Sequence, residues 1–265
     1  MLSAELAAYL EFAHRTAQRA GEAILPHFRR AIEVEDKRNY MGYDPVTVAD
    51  RAAEQVIRDA IKAAYPGHGI HGEEHGREAG TSPFTWVVDP IDGTKSFIMG
   101  QLHWGVLIAL NDGSGPVAGV AYQPFVGEAF LGIRGELAQW RRGGERRALR
   151  TRPCPAIEDA IAVTTDPRQF VSPTEKRALA AVSDNARFLR YGGDCYCYTQ
   201  LAMGLVDVVI ETGLQPYDIQ ALVPIIEAAG GRVTSWSGGP CDGGGDVLAC
   251  GDPGLHKSLV SRLSA

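Results

Sequence analysis

The sequence predicts an α/β protein whose first half is α+β and whose second half alternates strand and helix. Three observations carry that prediction: two amphipathic helical stripes at the start, a series of strand-like runs divided by turn residues, and a change of texture near residue 155. Leu6, Leu10, Ala13, Ala17, Ala20, Ile24 and Phe28 recur every three or four residues, so the chain opens with a long helix that buries one face. A polar segment from Glu35 to Asp44 follows. Ala53, Val56, Ile57, Ala60, Ile61 and Ala64 form the second stripe, which Pro66-Gly67 ends. Runs at 85–88, 104–110, 116–123 and 127–133 are separated by Asn111-Asp112-Gly113 and Pro124 and closed by Gly135, the pattern of an antiparallel meander.

From about residue 155 the expected order is strand 160–164, helix 173–183, strand 187–190, helix 195–204, strand 206–211, helix 217–229, strands 231–235 and 246–250, and helix 253–263. Pro224 removes a backbone donor inside the 217–229 helix and predicts a kink. The sequence shows no repeat or long linker. Two halves, 1–150 and 151–265, are therefore expected to pack closely, the first with a metal motif and the second with specificity residues.

Composition excludes several function classes. With 265 residues, 45% hydrophobic and 22% charged, the chain can bury a full core and is not expected to be disordered. A net charge of −6 gives no footprint for nucleic acid, and the Arg141-Arg142 and Arg146-Arg147 pairs read as a solvated loop. No apolar run reaches the roughly 18 residues of a membrane span, and the opening helix carries acidic residues that a signal peptide lacks. A cytoplasmic protein with no membrane partner is expected. Five cysteines without a CxxC pair argue against a disulfide framework or structural zinc.

The most informative stretch is Trp86-Val87-Val88-Asp89-Pro90-Ile91-Asp92-Gly93-Thr94-Lys95-Ser96-Phe97. It sets two carboxylates three residues apart behind an apolar strand, and a turn at Pro90 is expected to bring both into one small volume. Unneutralised, they would repel one another. Hard cations such as Mg²⁺ take oxygen ligands of this kind, together with water and phosphate. Gly93 and Thr94 add backbone N–H groups at an apparent helix start, where an anion is favoured.

Three other segments add acids, each with a plain structural explanation available. Asp50 stands at the head of the second helix, where it could simply be a cap. Glu73 and Glu74 follow Ile70 and a glycine and could be a solvated pair, while Asp218 at the front of the 217–229 helix complements the helix dipole. Together the acids suffice for two or three divalent cations. That set suits phosphoryl chemistry, in which one cation activates water and another stabilises the leaving oxygen. Phosphate monoester hydrolysis asks its catalyst for about 20 kcal/mol of barrier reduction.

These residues resemble the inositol monophosphatase superfamily of Mg²⁺-dependent phosphatases. The resemblance rests on Asp44-Pro45-Val46-Thr47-Val48-Ala49-Asp50, Gly72-Glu73-Glu74, the 86–97 stretch, Tyr217-Asp218 and Glu227-Ala228-Ala229-Gly230-Gly231. It implies a layered αβαβα sandwich and a homodimer. It further implies that Glu73, Asp89 and the Ile91 carbonyl hold one Mg²⁺ and that Asp89, Asp92 and Asp218 hold another. Glu73 and Thr94 would orient the attacking water, Asp50 would support Thr94, and Gly93 and Thr94 would hold phosphate.

Within that superfamily three stretches look most like the bacterial histidinol-phosphate phosphatase branch: Lys95-Ser96-Phe97-Ile98 with Gly100, Gly192 to Tyr198, and Gly213 to Leu222. The inositol branch usually has Asn-Phe, a Gly-(Ser/Thr)-Ala-Ala turn and Trp-Asp at the corresponding places. L-histidinol phosphate carries an ammonium and an imidazole beside its phosphate, so an acidic patch beyond the metals is expected. Asp194 and Glu211 are placed to supply it, and Arg190 and Tyr191 are expected to line the same pocket. His71 and His103 read as packing residues, because Mg²⁺ prefers oxygen. The metal motif alone also fits an inositol, fructose-bisphosphate or broad sugar phosphatase. A non-catalytic relative that binds metal and ligand is a third reading.

Overall fold

The computed structural model of the protein describes residues 3–37 and 45–263. Residues 38–44 of the polar segment, Asp44 among them, lie outside the described residues. Helix α1 (Ser3–Ile24) is followed by a 3-10 turn, an antiparallel pair of short strands, β1 (Val34–Asp36) and β2 (Pro45–Thr47), and helix α2 (Val48–Ala64). Next come β3 (Gly69–Gly72), β4 (Gly76–Glu78), β5 (Thr85–Asp92) and the short helix α3 (Thr94–Ile98). The meander comprises β6 (Gly105–Asn111), β7 (Pro116–Gln123), β8 (Glu128–Ile133), β9 (Leu137–Arg142) and β10 (Glu145–Ala148).

The second half contains β11 (Ile161–Thr164), α4 (Pro173–Ser183), β12 (Phe188–Tyr191), α5 (Asp194–Ala202), β13 (Val208–Leu214), α6 (Pro216–Ile219) and α7 (Leu222–Ala228). It closes with β14 (Arg232–Thr234), β15 (Gly245–Cys250) and α8 (Pro253–Leu263). Strands β3 to β10 form an eight-stranded sheet in the order β10-β9-β8-β7-β6-β5-β3-β4, antiparallel except where β3 meets β5. Strands β11 to β15 form a five-stranded sheet, β12-β11-β13-β15-β14, in which β11 runs parallel to β12 and β13.

Alternation along each strand sorts side chains between layers. Trp86 and Val88 face one side of the large sheet and pack with Leu10, Ile24, Ile57 and Ile61 of α1 and α2. Val87, Leu107 and Phe130 face the other side, where Leu201, Ile219, Leu222 and Ile225 of α5 to α7 bridge to Val163, Val209 and Val247 of the small sheet. Behind that sheet Ala162, Val208, Ile210 and Leu248 meet Ala178 and Val182 of α4 and Leu255 and Leu259 of α8. The expected αβαβα sandwich is the observed fold.

Two elements differ from expectation for identifiable reasons. The single helix 217–229 is two helices, α6 and α7, because Pro224 has no N–H for the carbonyl of Gln220 four residues back and the hydrogen-bond ladder is interrupted at Gln220 and Ala221, which both keep right-handed helical dihedrals. The meander also extends through β9 and β10, where the Arg141-Arg142 and Arg146-Arg147 pairs predict a solvated loop. Strand β9 buries only Ala138 and Trp140 between polar neighbours, and β10 is an exposed, charged edge, so neither shows an apolar run.

Strand β8 meets α7 at close quarters. A Cβ on Gly132 would stand 2.5 Å from the Ile225 Cα. Gly132→Ala is therefore expected to destabilise the protein by about 1–3 kcal/mol through overpacking, read as a lowered Tm. An unchanged Tm would mean that α7 can withdraw freely.

Candidate active site

The centre of the site is a β-bulge. In β5, Asp89 pairs with Leu107 and Asp92 with Gly105, so three steps on one strand match two on its neighbour. Residues three apart on a regular strand point to opposite faces, and the one extra residue returns Asp92 to the side of Asp89. Pro90 sits within the bulge, where its missing N–H costs no ladder bond. The sequence predicted convergence of the two carboxylates correctly but attributed it to a turn; the strand continues through Pro90 to Asp92.

Asp218 joins them from α6. Oxygens of Asp89, Asp92 and Asp218 all lie within 4.8 Å of one another. Backbone donors fix each carboxylate: Ile91 N–H donates to Asp89 Oδ1 at 3.0 Å, Cys195 N–H to Asp92 Oδ2 at 2.6 Å, and Gln215 N–H to Asp218 Oδ2 at 2.7 Å. Asp218 is thus both a cap of its helix and a member of the cluster. Asp50 has the same double character. Its Oδ2 accepts from Thr47 N–H at 2.9 Å as part of a capping box, while its Oδ1 receives the Thr94 hydroxyl at 3.4 Å. The Thr94 hydroxyl also lies 3.1 Å from the Ile91 carbonyl. Gly93, with φ of 85°, occupies the left-handed region that lets the chain leave β5 directly into α3.

Glu73 reaches the cluster from the turn after β3. Its N–H donates to the Val88 carbonyl at 3.2 Å. The next two amides donate to the fully buried Glu54 of α2, Glu74 N–H at 2.7 Å and His75 N–H at 3.1 Å, and Arg58 Nε donates to the same carboxylate at 2.7 Å. Sequence reading missed Glu54, whose spacing to Arg58 looks like an ordinary helical ion pair. Lys37 Nζ stands 3.1 Å from Glu73 Oε1 and 2.8 Å from Glu74 Oε1.

The electrostatics express crowding of like charge out of water. Burial, then the charges of Glu73, Asp92 and Asp218, push Asp89 well above the usual carboxylate range. Burial and Asp194 raise Asp92 to about 7, and burial, with Asp92 and Glu73, raises Asp218 strongly. Burial lifts Glu73 to about 8 despite Lys37, and Asp50 to about 6 despite its Thr47 bonds. A recessed set of oxygens that resists ionisation for want of positive charge is a set that fits a hard divalent cation.

The cluster forms the floor of a cavity of about 840 Å³ between the two sheets. Glu73, Asp89, Ile91, Asp92, Gly93, Thr94 and Asp218 line it, and so do Asp194 and Glu211. Asp194 adopts a positive φ of 44° at the start of α5 and accepts from Ser96 Oγ at 2.7 Å. Glu211 is buried in β13, beside a second bulge, and accepts Thr165 N–H at 2.7 Å; burial raises it to about 8. Arg190 does not line the cavity. It lies exposed on the edge strand β12, as does Tyr191, and the chain enters the cavity only after Gly192-Gly193. His71 and His103 pack beside Tyr217 and Tyr196, at ring distances of 6.1 and 6.4 Å.

Other lining residues escaped sequence reading. Thr212 Oγ1 joins Asp246 at 2.8 Å and Glu175 at 3.1 Å, an arrangement made only when β15 pairs with β13 and α4 packs across them. The turn-rich Asp242 to Asp246 segment and the capping box Ser172-Pro173-Thr174-Glu175 gave no functional signal of their own.

Comparison with family models matches residues 5–265 to the inositol monophosphatase family. The chain belongs to the inositol monophosphatase family. It is accordingly a phosphatase acting on phosphate monoesters. It is 38% identical to the bifunctional phosphatase IMPL2, chloroplastic, of Arabidopsis thaliana, over 98% of this chain and 76% of that protein. It is 32% identical to a histidinol-phosphatase of Chlorobaculum parvum, over 96% of each. The solved structure of an inositol monophosphatase from Zymomonas mobilis superposes with a TM-score of 0.86 over the whole of both chains, at 35% identity. Among the described residues of this family member, no helix is long and apolar enough to cross a membrane.

Proposed function

We propose that this phosphatase hydrolyses L-histidinol phosphate to histidinol and phosphate, with two or three Mg²⁺ ions in its acidic cluster. What carries the reading is the acidity of the cavity beyond the cluster, where Asp194 and Glu211 face the space a leaving alcohol would occupy. The similarity to a histidinol-phosphatase supports it.

Glu73, Asp89, Asp92, Asp218 and the Ile91 carbonyl are the residues that would hold magnesium. When bound, the ions supply charge neutralisation and water activation. Gly93 and Thr94 hold the phosphate through backbone N–H groups. Glu73 and the Thr94 hydroxyl orient the attacking water, and Asp50 fixes the rotamer of Thr94 through its free oxygen. Asp194 receives the substrate ammonium. In this reading the enzyme is a homodimer, for which the exposed Leu25, Met99 and Phe125 near Arg29 offer apolar surface.

A side-by-side phosphate-release assay over histidinol phosphate, inositol 1-phosphate and fructose 1,6-bisphosphate tests the substrate. Histidinol phosphate is expected to give the highest kcat/KM. A preference for inositol phosphate would favour the alternative that the resemblance to the Zymomonas mobilis structure supports, and absence of release from all of them would favour a non-catalytic binder.

Asp194→Asn isolates the ammonium contact, since asparagine tolerates positive φ and can still accept from Ser96. It is expected to cost about tenfold more in kcat/KM on histidinol phosphate than on β-glycerophosphate, the scale of one charge-assisted hydrogen bond. Equal losses on both esters would reduce Asp194 to a structural link between α3 and α5.

A further inference from the structure

The turn that delivers Glu73 is held from behind by a carboxylate that does not line the cavity. Glu54 of α2 is fully buried, and three donors converge on its two oxygens. Arg58 Nε at 2.7 Å and His75 N–H at 3.1 Å share Oε1, while Glu74 N–H donates to Oε2 at 2.7 Å. The Glu73 amide is already on the Val88 carbonyl. Three successive amides of the turn are thus fixed, one by strand β5 and two by helix α2.

Two further contacts show that the fit is specific. A Cβ on Gly72 would stand 2.1 Å from Glu54 Oε1, so the glycine before Glu73 is what admits the carboxylate beneath the turn. Arg58, itself only 5% exposed, donates to the Gly76 carbonyl at the far end of the turn as well as to Glu54. A helical ion pair at this spacing needs neither contact. This one is enclosed, and its remaining hydrogen-bonding capacity is directed at the backbone around Glu73.

We propose that Glu54 is a positioning residue for the cation site, holding the 72–76 turn in the shape that presents Glu73 to the acidic cluster before any ion arrives; this rests on the magnesium reading above. A ligand that must be ordered at the moment of binding loses affinity to that ordering. Groups that orient a metal ligand from outside the coordination sphere therefore tune the affinity of the site. Only a carboxylate can accept from all three donors at once. Glutamine turns one end into an NH₂ group, which must face either the Glu74 amide or the donors from Arg58 and His75.

Glu54→Gln is therefore the informative variant, and Asp207→Asn is its control. Asp207 is equally buried, accepts from Arg152 and from Ile161 N–H at 2.7 Å, and does not line the cavity. The readouts are Tm of the chelator-stripped protein, the Mg²⁺ Kd measured by calorimetry, and amide hydrogen exchange. Both variants are expected to lose Tm. Only Glu54→Gln should raise the Mg²⁺ Kd, by about tenfold or more, and its Glu74 and His75 amides should exchange about tenfold faster. In the stripped wild type those two amides should already be protected, because the clamp precedes the ion. Free exchange at both would overturn the proposal whether or not the variant folds. An unchanged Mg²⁺ Kd in a destabilised Glu54→Gln, or the same rise in Asp207→Asn, would make Glu54 a plain structural residue and overturn it equally. The wild type tests the underlying reading separately. Mg²⁺ binding that Glu54→Gln fully retains removes only the role of Glu54, whereas no Mg²⁺ binding by the wild type removes the cation site and that role with it.

Discussion

Asp92→Asn is expected to lower phosphate release by about 10³-fold or more while making the metal-free protein more stable near pH 7.5. The two effects have one cause. Asp92 is held by the Cys195 amide against Asp89 and Asp218 in a recess where its charge is unwelcome, with its carboxyl raised to about 7. Asparagine keeps the acceptor for the Cys195 amide and deletes the charge, so folding gains what cation binding loses. Thermal melts with and without Mg²⁺ separate the two: the wild type should gain Tm on adding Mg²⁺, and the variant should gain little. A variant with near-normal turnover, or a metal-free form less stable than the wild type, would refute the assignment.

The second large effect is a pH dependence of stability that magnesium abolishes. A carboxyl whose folded pKa exceeds its unfolded value binds its proton more tightly when folded. Its stabilising contribution is complete below the unfolded pKa and disappears as pH rises through the folded one. Asp92 near 7, Glu73 and Glu211 near 8, and the strongly raised Asp89 and Asp218 all act in this sense. The depressed histidines His14, His68, His71 and His256 act oppositely, but only below their ordinary value of 6.5. Carboxyls held low by hydrogen bonds, such as Glu11 and Asp252, act only near or below 4.5.

Between pH 6.5 and 8, then, the metal-free protein should lose Tm steadily, each unit of raised pKa being worth about 1.4 kcal/mol. Excess Mg²⁺ competes with the protons and should restore roughly 2.7 kcal/mol at a hundredfold over its Kd, most clearly at the alkaline end. Identical Tm profiles with and without Mg²⁺ would contradict a cation site in this cluster.

What was legible in the sequence was whatever carried a local chemical oddity. Asp89 and Asp92 stood out because carboxylates follow an apolar strand, and the helical stripes of α1 and α2 because their period is unbroken. Asp50 and Asp218 were visible but ambiguous, and the structure explains the ambiguity: one oxygen of each caps its helix and leaves the other available. The bulge was hidden because register is a property of the β5–β6 pair, which Pro90 alone does not reveal. Glu54 and the Thr212, Glu175 and Asp246 group were hidden because each has a complete local explanation, as an ion pair, a cap or a turn. Arg190 shows the converse limit. Its nearness in sequence to Asp194 suggested a shared pocket, but an edge strand and two glycines separate them.

The central claim is that acids from four segments make one cation-dependent phosphatase site for an amine-bearing ester. The most direct test is phosphate release from L-histidinol phosphate by protein stripped with chelator and then titrated with Mg²⁺. The account predicts negligible release when stripped and a saturable rise with Mg²⁺. Release undiminished by chelation, or none at any Mg²⁺ concentration, would contradict it.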